Sequence, residues 1–252
     1  MASWKRTHVS SVTCAKCHLE LKVGSTSEVA EGSLCPLIDI EQDDLPVLDI
    51  ISQFRLDTAS PENGVYKVAG STPLQVAYRL NKEMNFNVPT SISFPNGFPL
   101  EYSFVATFRM IGSTIEKNWN IWQIKDPFGN DQVGVRINGE TKSVEFYVLG
   151  LEGRLQTITF SPIPILFDSE WHKVLISVET DTIVLFIDCK RFEMQPINPK
   201  GIVSTEGGTF IGKLNDSPRI SVPFELQWMI IHCDPHRAQR ESCPELPVRN
   251  WE

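Results

Sequence analysis

From Tyr66 onward, apolar side chains alternate with polar ones, and this period of two constrains the fold more than any other feature. Alternation places successive side chains on opposite faces of a strand, so that one face is buried and the other solvated. It recurs over residues 104–110, 133–138, 144–148, 174–178 and 183–189. Turn sequences at 126–130 and 138–139 separate these stretches, and residues 224–232 form the last predicted strand. The sequence therefore predicts an all-β fold, an antiparallel β-sandwich or jelly roll.

One short helix is predicted ahead of the strands. Residues 43–46 (Asp-Asp-Leu-Pro) are typical of a helix start, with an acidic N-cap and a proline in the first turn. Leu48, Ile51 and Phe54 follow at helical spacing. Residues 1–34 are polar and show no clear period, which predicts a flexible leader.

The net charge of −8 and the pI of about 5.2 narrow the classes of partner. A dedicated nucleic-acid-binding domain is usually strongly basic, so we expect no nucleic-acid partner. No stretch approaches the ~20 apolar residues of a membrane span, so we expect no membrane partner. The net negative charge also weakens any overall attraction to anionic polysaccharide, although a local basic patch could still bind one.

The chain has six cysteines. Cys35, Cys189, Cys233 and Cys243 are widely spaced, and such spacing favours disulfides over a zinc ribbon. Spacing leaves all three pairings of these four open. Cys189 is predicted to share one strand face with Ile183 and its neighbours. Disulfides indicate an oxidising compartment, so we expect a secreted protein, although the first residues show no apolar core typical of a signal peptide.

Cys14-Ala-Lys-Cys17-His18 matches the covalent haem signature C-x-x-C-H. Haem would need a packed pocket, and this polar segment precedes an all-β domain. A zinc half-site would need a second ligand pair, which is missing nearby. We therefore interpret these cysteines as incidental and expect no cofactor.

The motifs of the common hydrolases are missing: no G-x-S-x-G elbow and no H-E-x-x-H zinc motif occur. His172 is predicted to be structural rather than catalytic. Trp119, Trp122, Trp171 and Trp228 are predicted to lie in the core or at a sheet seam. We expect no enzymatic activity and no catalytic residues.

Basic residues cluster at two places, next to Cys189 and between Cys233 and Cys243. If the cysteines tie these segments together, the basic groups converge into a glycosaminoglycan-binding site, because guanidinium forks suit sulfate and carboxylate. The residues concerned are Lys190, Arg191, His236, Arg237 and Arg240. The alternative is that these are ordinary solvated charges.

The stretch from Cys35 to Pro247 resembles the N-terminal noncollagenous domain of the fibril-associated (FACIT) collagens, with type IX α1 as the nearest chain. Eight segments carry the resemblance: 35–36, 42–46, 74–78, 101–104, 108–114, 117–124, 167–173 and 222–235. They include Lys117-Asn-Trp-Asn-Ile-Trp-Gln-Ile124 and Phe167-Asp-Ser-Glu-Trp-His-Lys173. We therefore divide the chain into a leader (1–34), one domain (35–247) and a tail (248–252).

The resemblance implies a laminin-G-like, thrombospondin-N-terminal-like sandwich with a concanavalin-A-like jelly roll. It implies the disulfides Cys35–Cys233 and Cys189–Cys243. It also implies a globular domain in the extracellular matrix, within a collagen trimer in the full-length product. Such domains contact matrix proteins, proteoglycans and heparin-like polysaccharide.

Two departures from the family bear on function. The related type IX domain is strongly basic, whereas this chain is acidic. The positions of the family's metal site match Ser204, Glu206 and Pro244, and only Glu206 could still be a ligand, so no metal is expected. Two alternatives to a matrix interaction domain stay open: a purely structural spacer and a lectin-like carbohydrate-binding module.

Overall fold

The structure, a computed structural model, describes residues 47–83 and 85–246. Two antiparallel sheets pack face to face and enclose a continuous apolar core. This is the β-sandwich that the alternating sequence predicted. The boundaries proposed at residues 34/35 and 247/248 lie outside the described residues and stay predictions.

Fourteen strands lie within the described ranges. They are β1 (Val47–Asp49), β2 (Val65–Ala69), β3 (Val76–Leu80), β4 (Asn87–Pro89), β5 (Tyr102–Met110), β6 (Asn118–Lys125), β7 (Asp131–Asn138), β8 (Ser143–Leu149), β9 (Leu155–Phe160), β10 (Trp171–Val178), β11 (Thr182–Ile187), β12 (Lys190–Pro196), β13 (Gly208–Leu214) and β14 (Phe224–His232). The large sheet has the order β12-β11-β10-β5-β14-β3-β2, with β1 also paired to β14. The small sheet has the order β4-β13-β6-β7-β8-β9.

The inner faces of the two sheets meet through aromatic and β-branched side chains. Trp119 and Trp122 of β6 are fully buried. The Trp122 ring lies 5.7 Å from that of Phe104 on β5, and the Trp119 ring lies 5.0 Å from that of Phe224 on β14. Because these rings bridge the two sheets, they hold the layers in register.

The outer face of the large sheet is covered by the segment 233–246, which we call the C-terminal strap. Its helix α3 (Arg237–Arg240) places Ala238 against Val105, Leu175 and Phe186. Further along the strap, an apolar cluster groups Leu246 with Ala77 and Trp171. Strand β10 is therefore buried on both faces, which explains its continuously buried pattern.

The helix predicted near the start of the domain is shorter than its periodicity indicated. Leu48 lies in β1, and helix α1 spans only Ile50–Gln53. Asp49 is its N-cap, because its Oδ1 atom accepts a hydrogen bond from the backbone of Ile51 at 2.9 Å. Pairing of β1 with β14 decides the conformation of Leu48. Residues 43–46, where the helix was expected to begin, lie outside the described residues. A second short helix, α2, spans Thr90–Ser93.

Two further predictions were wrong in detail. Cys189 does not belong to strand β11, which ends at Ile187; it lies in the turn that leads into β12. Trp228 is exposed by 45%, whereas Trp119, Trp122 and Trp171 are buried. The pairing of β14 with β5 shifts its register between Leu226 and Trp228, and this bulge directs the indole outward.

Candidate functional site

The turn between β11 and β12 anchors the C-terminal strap. Asp188 and Cys189 form a two-residue hairpin connection, and both have positive φ angles, 51° and 61°. The Cys189 sulfur is bonded to that of Cys243, with the Cα atoms 5.9 Å apart. This is the pairing that the family resemblance implies. Cys233 is also disulfide-bonded, and its predicted partner Cys35 lies outside the described residues.

Hydrogen bonds and ion pairs fasten the rest of the strap to the sheet. Ser103 Oγ donates to the carbonyl oxygen of Asp234 at 2.8 Å, and Ser177 Oγ donates to that of Pro235 at 2.6 Å. Near the far end, Lys173 Nζ donates to the carbonyl oxygen of Ser242 at 3.1 Å. The strap is thus held along its length, and the groups it carries have defined positions.

The structure brings the predicted basic residues to one region. Lys190 and Arg191 begin β12, directly after the disulfide-bonded turn. Arg237 and Arg240 lie on α3, and His236 precedes it. Arg191 lines a cavity of about 260 Å³ together with Gln239 of α3 and Glu179, so the hairpin and the helix share one surface. We call this surface, around the Cys189–Cys243 bond, the strap surface.

Carboxylates interleave with these cations. His236 Nδ1 lies 3.6 Å from Glu179, and Arg237 Nε donates to Glu241 at 3.2 Å. Arg240 pairs with Asp234. His236, Arg237 and Arg240 therefore have acidic partners, and the strap surface has mixed charge rather than a concentrated positive field.

Sequence reasoning missed Lys173 and four carboxylates of this surface. Lys173 is almost fully buried and pairs with Glu241 at 3.4 Å and Glu245 at 2.7 Å. The spacing of Arg237 and Glu241, four residues apart next to Cys243, could have revealed one pair. No sequence signal indicates that Glu179 belongs to this surface. It follows the end of β10, and only the tertiary fold brings it next to His236.

Burial shifts the pKa of His232, at the end of β14 beside the strap. Loss of solvent is the main cause that lowers its pKa, and the positive charge of Arg237 adds to it. Glu241 and Asp234 oppose the shift. The neutral imidazole is therefore the form that the folded chain favours.

His172 lies between two carboxylates. Its Nδ1 atom is 2.9 Å from Asp188 Oδ2, and its Nε2 atom is 3.0 Å from Asp168 Oδ1. The ring is buried, and Asp188 Oδ1 also accepts from the backbone N–H of Lys173 at 2.9 Å. His172 thus ties the Asp188–Cys189 turn to β10.

The residues considered for cofactor and metal binding do not come together in the structure. Ser204 and Glu206 lie in the loop before β13, where the Glu206 backbone N–H donates to Ser204 Oγ at 3.3 Å, and Pro244 lies in the strap. Across residues 47–83 and 85–246, no group of three or more His, Cys, Asp or Glu side chains could hold a metal ion. Cys14, Cys17 and His18 are not among the described residues. The helices of the described ranges are too short to cross a membrane.

Solved structures with this architecture include toxin domains. The binding domain of Paraclostridial Mosquitocidal Protein 1 aligns with a TM-score of 0.51 over 80% of this chain and 48% of its own, at 14% identity. The receptor binding domain of botulinum neurotoxin D also aligns with a TM-score of 0.51, over 83% of this chain and 52% of its own, at 12% identity. These similarities support the jelly-roll fold alone.

Sequence comparison is more specific. No family model matches the chain. The α1(XXI) collagen chain of Xenopus laevis is 32% identical over 228 residues, which cover 89% of this chain and 23% of the collagen. Human α1(XVI) is 33% identical over 63% of this chain and 10% of its own length, and human α1(XIX) is 30% identical over 61% and 14%. The chain is homologous to the FACIT collagens.

This homology supports the resemblance that the sequence motifs indicated, to an N-terminal noncollagenous domain of a FACIT collagen. The chain spans about a quarter or less of the length of these collagen relatives. The finer prediction, a nearest relationship to the type IX α1 chain, stays a prediction.

Proposed function

We propose that this chain provides the N-terminal globular domain of a fibril-associated collagen in the extracellular matrix. On this proposal it joins a collagen trimer in the full-length product and acts as an interaction module rather than an enzyme. The observation that carries the proposal is the homology to α1(XXI) collagen over 89% of the chain. The disulfide at Cys189–Cys243 accords with secretion, because such bonds persist in oxidising compartments.

The strap surface is the proposed site of contact with matrix proteins and proteoglycans. It combines a rigid, disulfide-bonded scaffold with alternating cations and carboxylates. A protein partner can present the complementary pattern, and such complementarity favours one partner over others. A uniformly anionic polysaccharide would meet Glu179, Asp234 and Glu241 as well as the cations, so a protein is the favoured partner.

Glycosaminoglycan binding is the second candidate, supported by Lys190 and Arg191. Both are exposed at the start of β12, next to His236 and the cations of α3. The Arg191 guanidinium contacts the sulfur of Met194 at 3.1 Å, a weak acceptor that a sulfate group would readily replace.

Heparin affinity chromatography tests the polysaccharide part. We expect the wild-type chain to elute later in a salt gradient than the double variant Lys190→Glu/Arg191→Glu, because salt screens the same contacts. Arg154→Glu, on the exposed β8–β9 turn, is a single charge-reversal control away from β12 and should elute close to the wild type. Wild-type elution no later than the double variant would overturn the polysaccharide proposal.

A solid-phase assay on immobilised fibrillar collagens and proteoglycan core proteins tests the protein part. Arg237→Glu/Arg240→Glu reverses the strap cations and should reduce binding to the matrix protein that the wild type recognises. If the wild type binds no matrix component above a serum albumin control, the alternative of a purely structural spacer is the better description.

A further inference from the structure

Asparagine followed by glycine is the dipeptide most prone to deamidation, because glycine has no side chain to keep its backbone nitrogen away from the asparagine amide carbon. The chain contains three such pairs, Asn63-Gly64, Asn96-Gly97 and Asn138-Gly139, all within the described residues. The reaction requires the peptide unit of the glycine to rotate toward the asparagine side chain. Its rate in a folded protein therefore depends on how firmly the structure holds both residues.

The pair Asn138-Gly139, at the end of β7, is held at both residues. Asn138 Oδ1 accepts from the backbone N–H of Glu140 at 3.1 Å, and Asn138 Nδ2 donates to Glu145 at 3.2 Å. Gly139 is buried, and a Cβ atom on it would lie only 2.4 Å from the backbone of Glu116. The side chain and the backbone nitrogen that would have to meet are thus both fixed.

The pair Asn63-Gly64, ahead of β2, is held at the glycine alone. Asn63 is exposed, whereas Gly64 is buried. The Gly64 N–H donates to the carbonyl oxygen of Pro61 at 3.0 Å, and its own carbonyl oxygen accepts from the N–H of Asn81 at 2.9 Å. The side chain can move here, but the attacking nitrogen belongs to a peptide that is bonded on both sides.

The pair Asn96-Gly97 is the least restrained of the three. It lies in the turn Phe94–Gly97 between α2 and β5, with Pro95 at the second position, as in a type I turn. Asn96 is exposed and Gly97 is half-buried. The turn is closed by a long hydrogen bond, from the Gly97 N–H to the carbonyl oxygen of Phe94 at 3.2 Å. Breaking this one contact releases the attacking nitrogen.

From these differences we infer that Asn96 is a deamidation site of the folded protein. The Gly97 backbone nitrogen gives up its proton to solvent and bonds to the side-chain amide carbon of Asn96. The original amide C–N bond breaks, and ammonia leaves with a proton taken from water. Water then opens the succinimide ring at either carbonyl, which gives aspartate or isoaspartate. The net reaction consumes one water, releases one ammonia and needs no enzyme, so the inference does not rest on the proposed function.

The turn borders an aromatic cluster, which gives the modification a structural effect. Phe94 is fully buried, and its ring lies 4.8 Å from that of Phe98. The Phe98 ring lies 5.0 Å from that of Tyr102 and 5.9 Å from that of Trp122. Isoaspartate adds a methylene to the backbone between the two phenylalanines, and closely packed rings leave no room for it unless half-buried Phe98 shifts. Deamidation thus loosens this end of the sandwich and adds one negative charge to the net charge of −8.

Peptide mapping of the aged protein tests the inference. The full chain is incubated near neutral pH at 37 °C, and deamidation is followed by mass spectrometry, with isoaspartate labelled by isoaspartyl methyltransferase. We expect Asn96 to convert about tenfold faster than Asn138, because each hydrogen bond that holds Asn138 must first break. Asn63 should fall between them. In the chain unfolded in guanidinium chloride and reduced, the three sites should convert at similar rates.

Equal rates at Asn96 and Asn138 in the folded chain would overturn the inference. A preference for Asn96 that is equally large in the unfolded chain would also overturn it, because the local sequence rather than the fold would then set the rates.

Variants separate the added charge from the lengthened backbone. Asn96→Gln keeps the amide but closes a six-membered ring far more slowly, and Asn96→Asp adds the charge alone. Aged wild type should unfold at a lower urea concentration than fresh protein, whereas aged Asn96→Gln should keep its midpoint. Fresh Asn96→Asp should stay close to fresh wild type, and Asn63→Gln, the matched control, should age as the wild type does. An unchanged midpoint after full conversion of Asn96 would contradict the effect on the aromatic cluster.

Discussion

The Lys173 ammonium lies 2.7 Å from the carboxylate of Glu245 and is almost fully shielded from solvent by the strap. The contact joins the outer face of β10 to the last described turn of the chain. Lys173 therefore depends on the strap for its counter-ions, and the strap depends on Lys173 for its position.

Removing the Glu245 charge should loosen the strap. We expect Glu245→Gln to lower the free energy of unfolding by about 1–2 kcal/mol, since Glu241 remains to pair with Lys173. Amide hydrogen exchange over residues 241–246 should become faster. Glu152→Gln, at an exposed turn, is the control. Unchanged exchange in the strap would contradict the role assigned to this pair.

A second prediction concerns the buried carboxylate of Glu225. Its side chain is fully buried on β14, and it accepts from Arg79 at 2.6 Å and from Arg109 Nε at 2.7 Å. Glu225→Gln should lower the free energy of unfolding by about 2 kcal/mol, because two guanidinium groups lose their carboxylate but keep partial access to water. Urea denaturation against the exposed control Glu62→Gln measures this. A change as small as that of the control would contradict it.

Reduction should release the strap from the hairpin. Intact mass should rise by four hydrogen atoms on full reduction, two from Cys189–Cys243 and two from the bond at Cys233. The double variant Cys189→Ser/Cys243→Ser should lose about 2–4 kcal/mol, since the bond closes a loop with a sequence separation of 54. No mass difference on reduction would argue against secretion.

His232 predicts a pH dependence. Because burial lowers its pKa in the folded chain, the unfolded chain binds the proton more readily. The free energy of unfolding should therefore fall as pH drops below about 6.5, the ordinary pKa of histidine, until the lowered folded pKa is passed. Urea midpoints at pH 7.5 and 5.5 should differ less for His232→Gln than for the wild type. An equal difference in both proteins would remove His232 as the cause.

The alternation of the sequence predicted the strands of this protein well because burial of one face is a local property. Strand β14 runs from Phe224 to His232, as the pattern indicated. The same reasoning was wrong at Leu48, where an i, i+3 spacing coincides with a strand that pairs with β14. A short apolar run is compatible with either a helix or a strand, and tertiary pairing decides between the two.

For the predicted basic residues, too, part of the site could be predicted from the sequence and part depended on the tertiary structure. Their identity and their proximity to cysteines were visible in the sequence, and the Cys189–Cys243 bond brings their two segments to one surface. The pairing of Arg237 with Glu241 had a signal in their spacing of four residues. The pairing of His236 with Glu179 had none, because these residues are far apart in sequence and meet only when α3 packs on the outer face of β10.

By itself, the sequence thus determined the two-sheet architecture, the family and the cysteine positions, all of which depend on local periodicity or direct similarity. Only the tertiary structure decided that Trp228 faces outward and that Glu179 lies beside the cations of the strap surface. The first depends on a bulge and the second on a segment that crosses the sheet, and such long-range geometry leaves no mark on the spacing of residues along the chain.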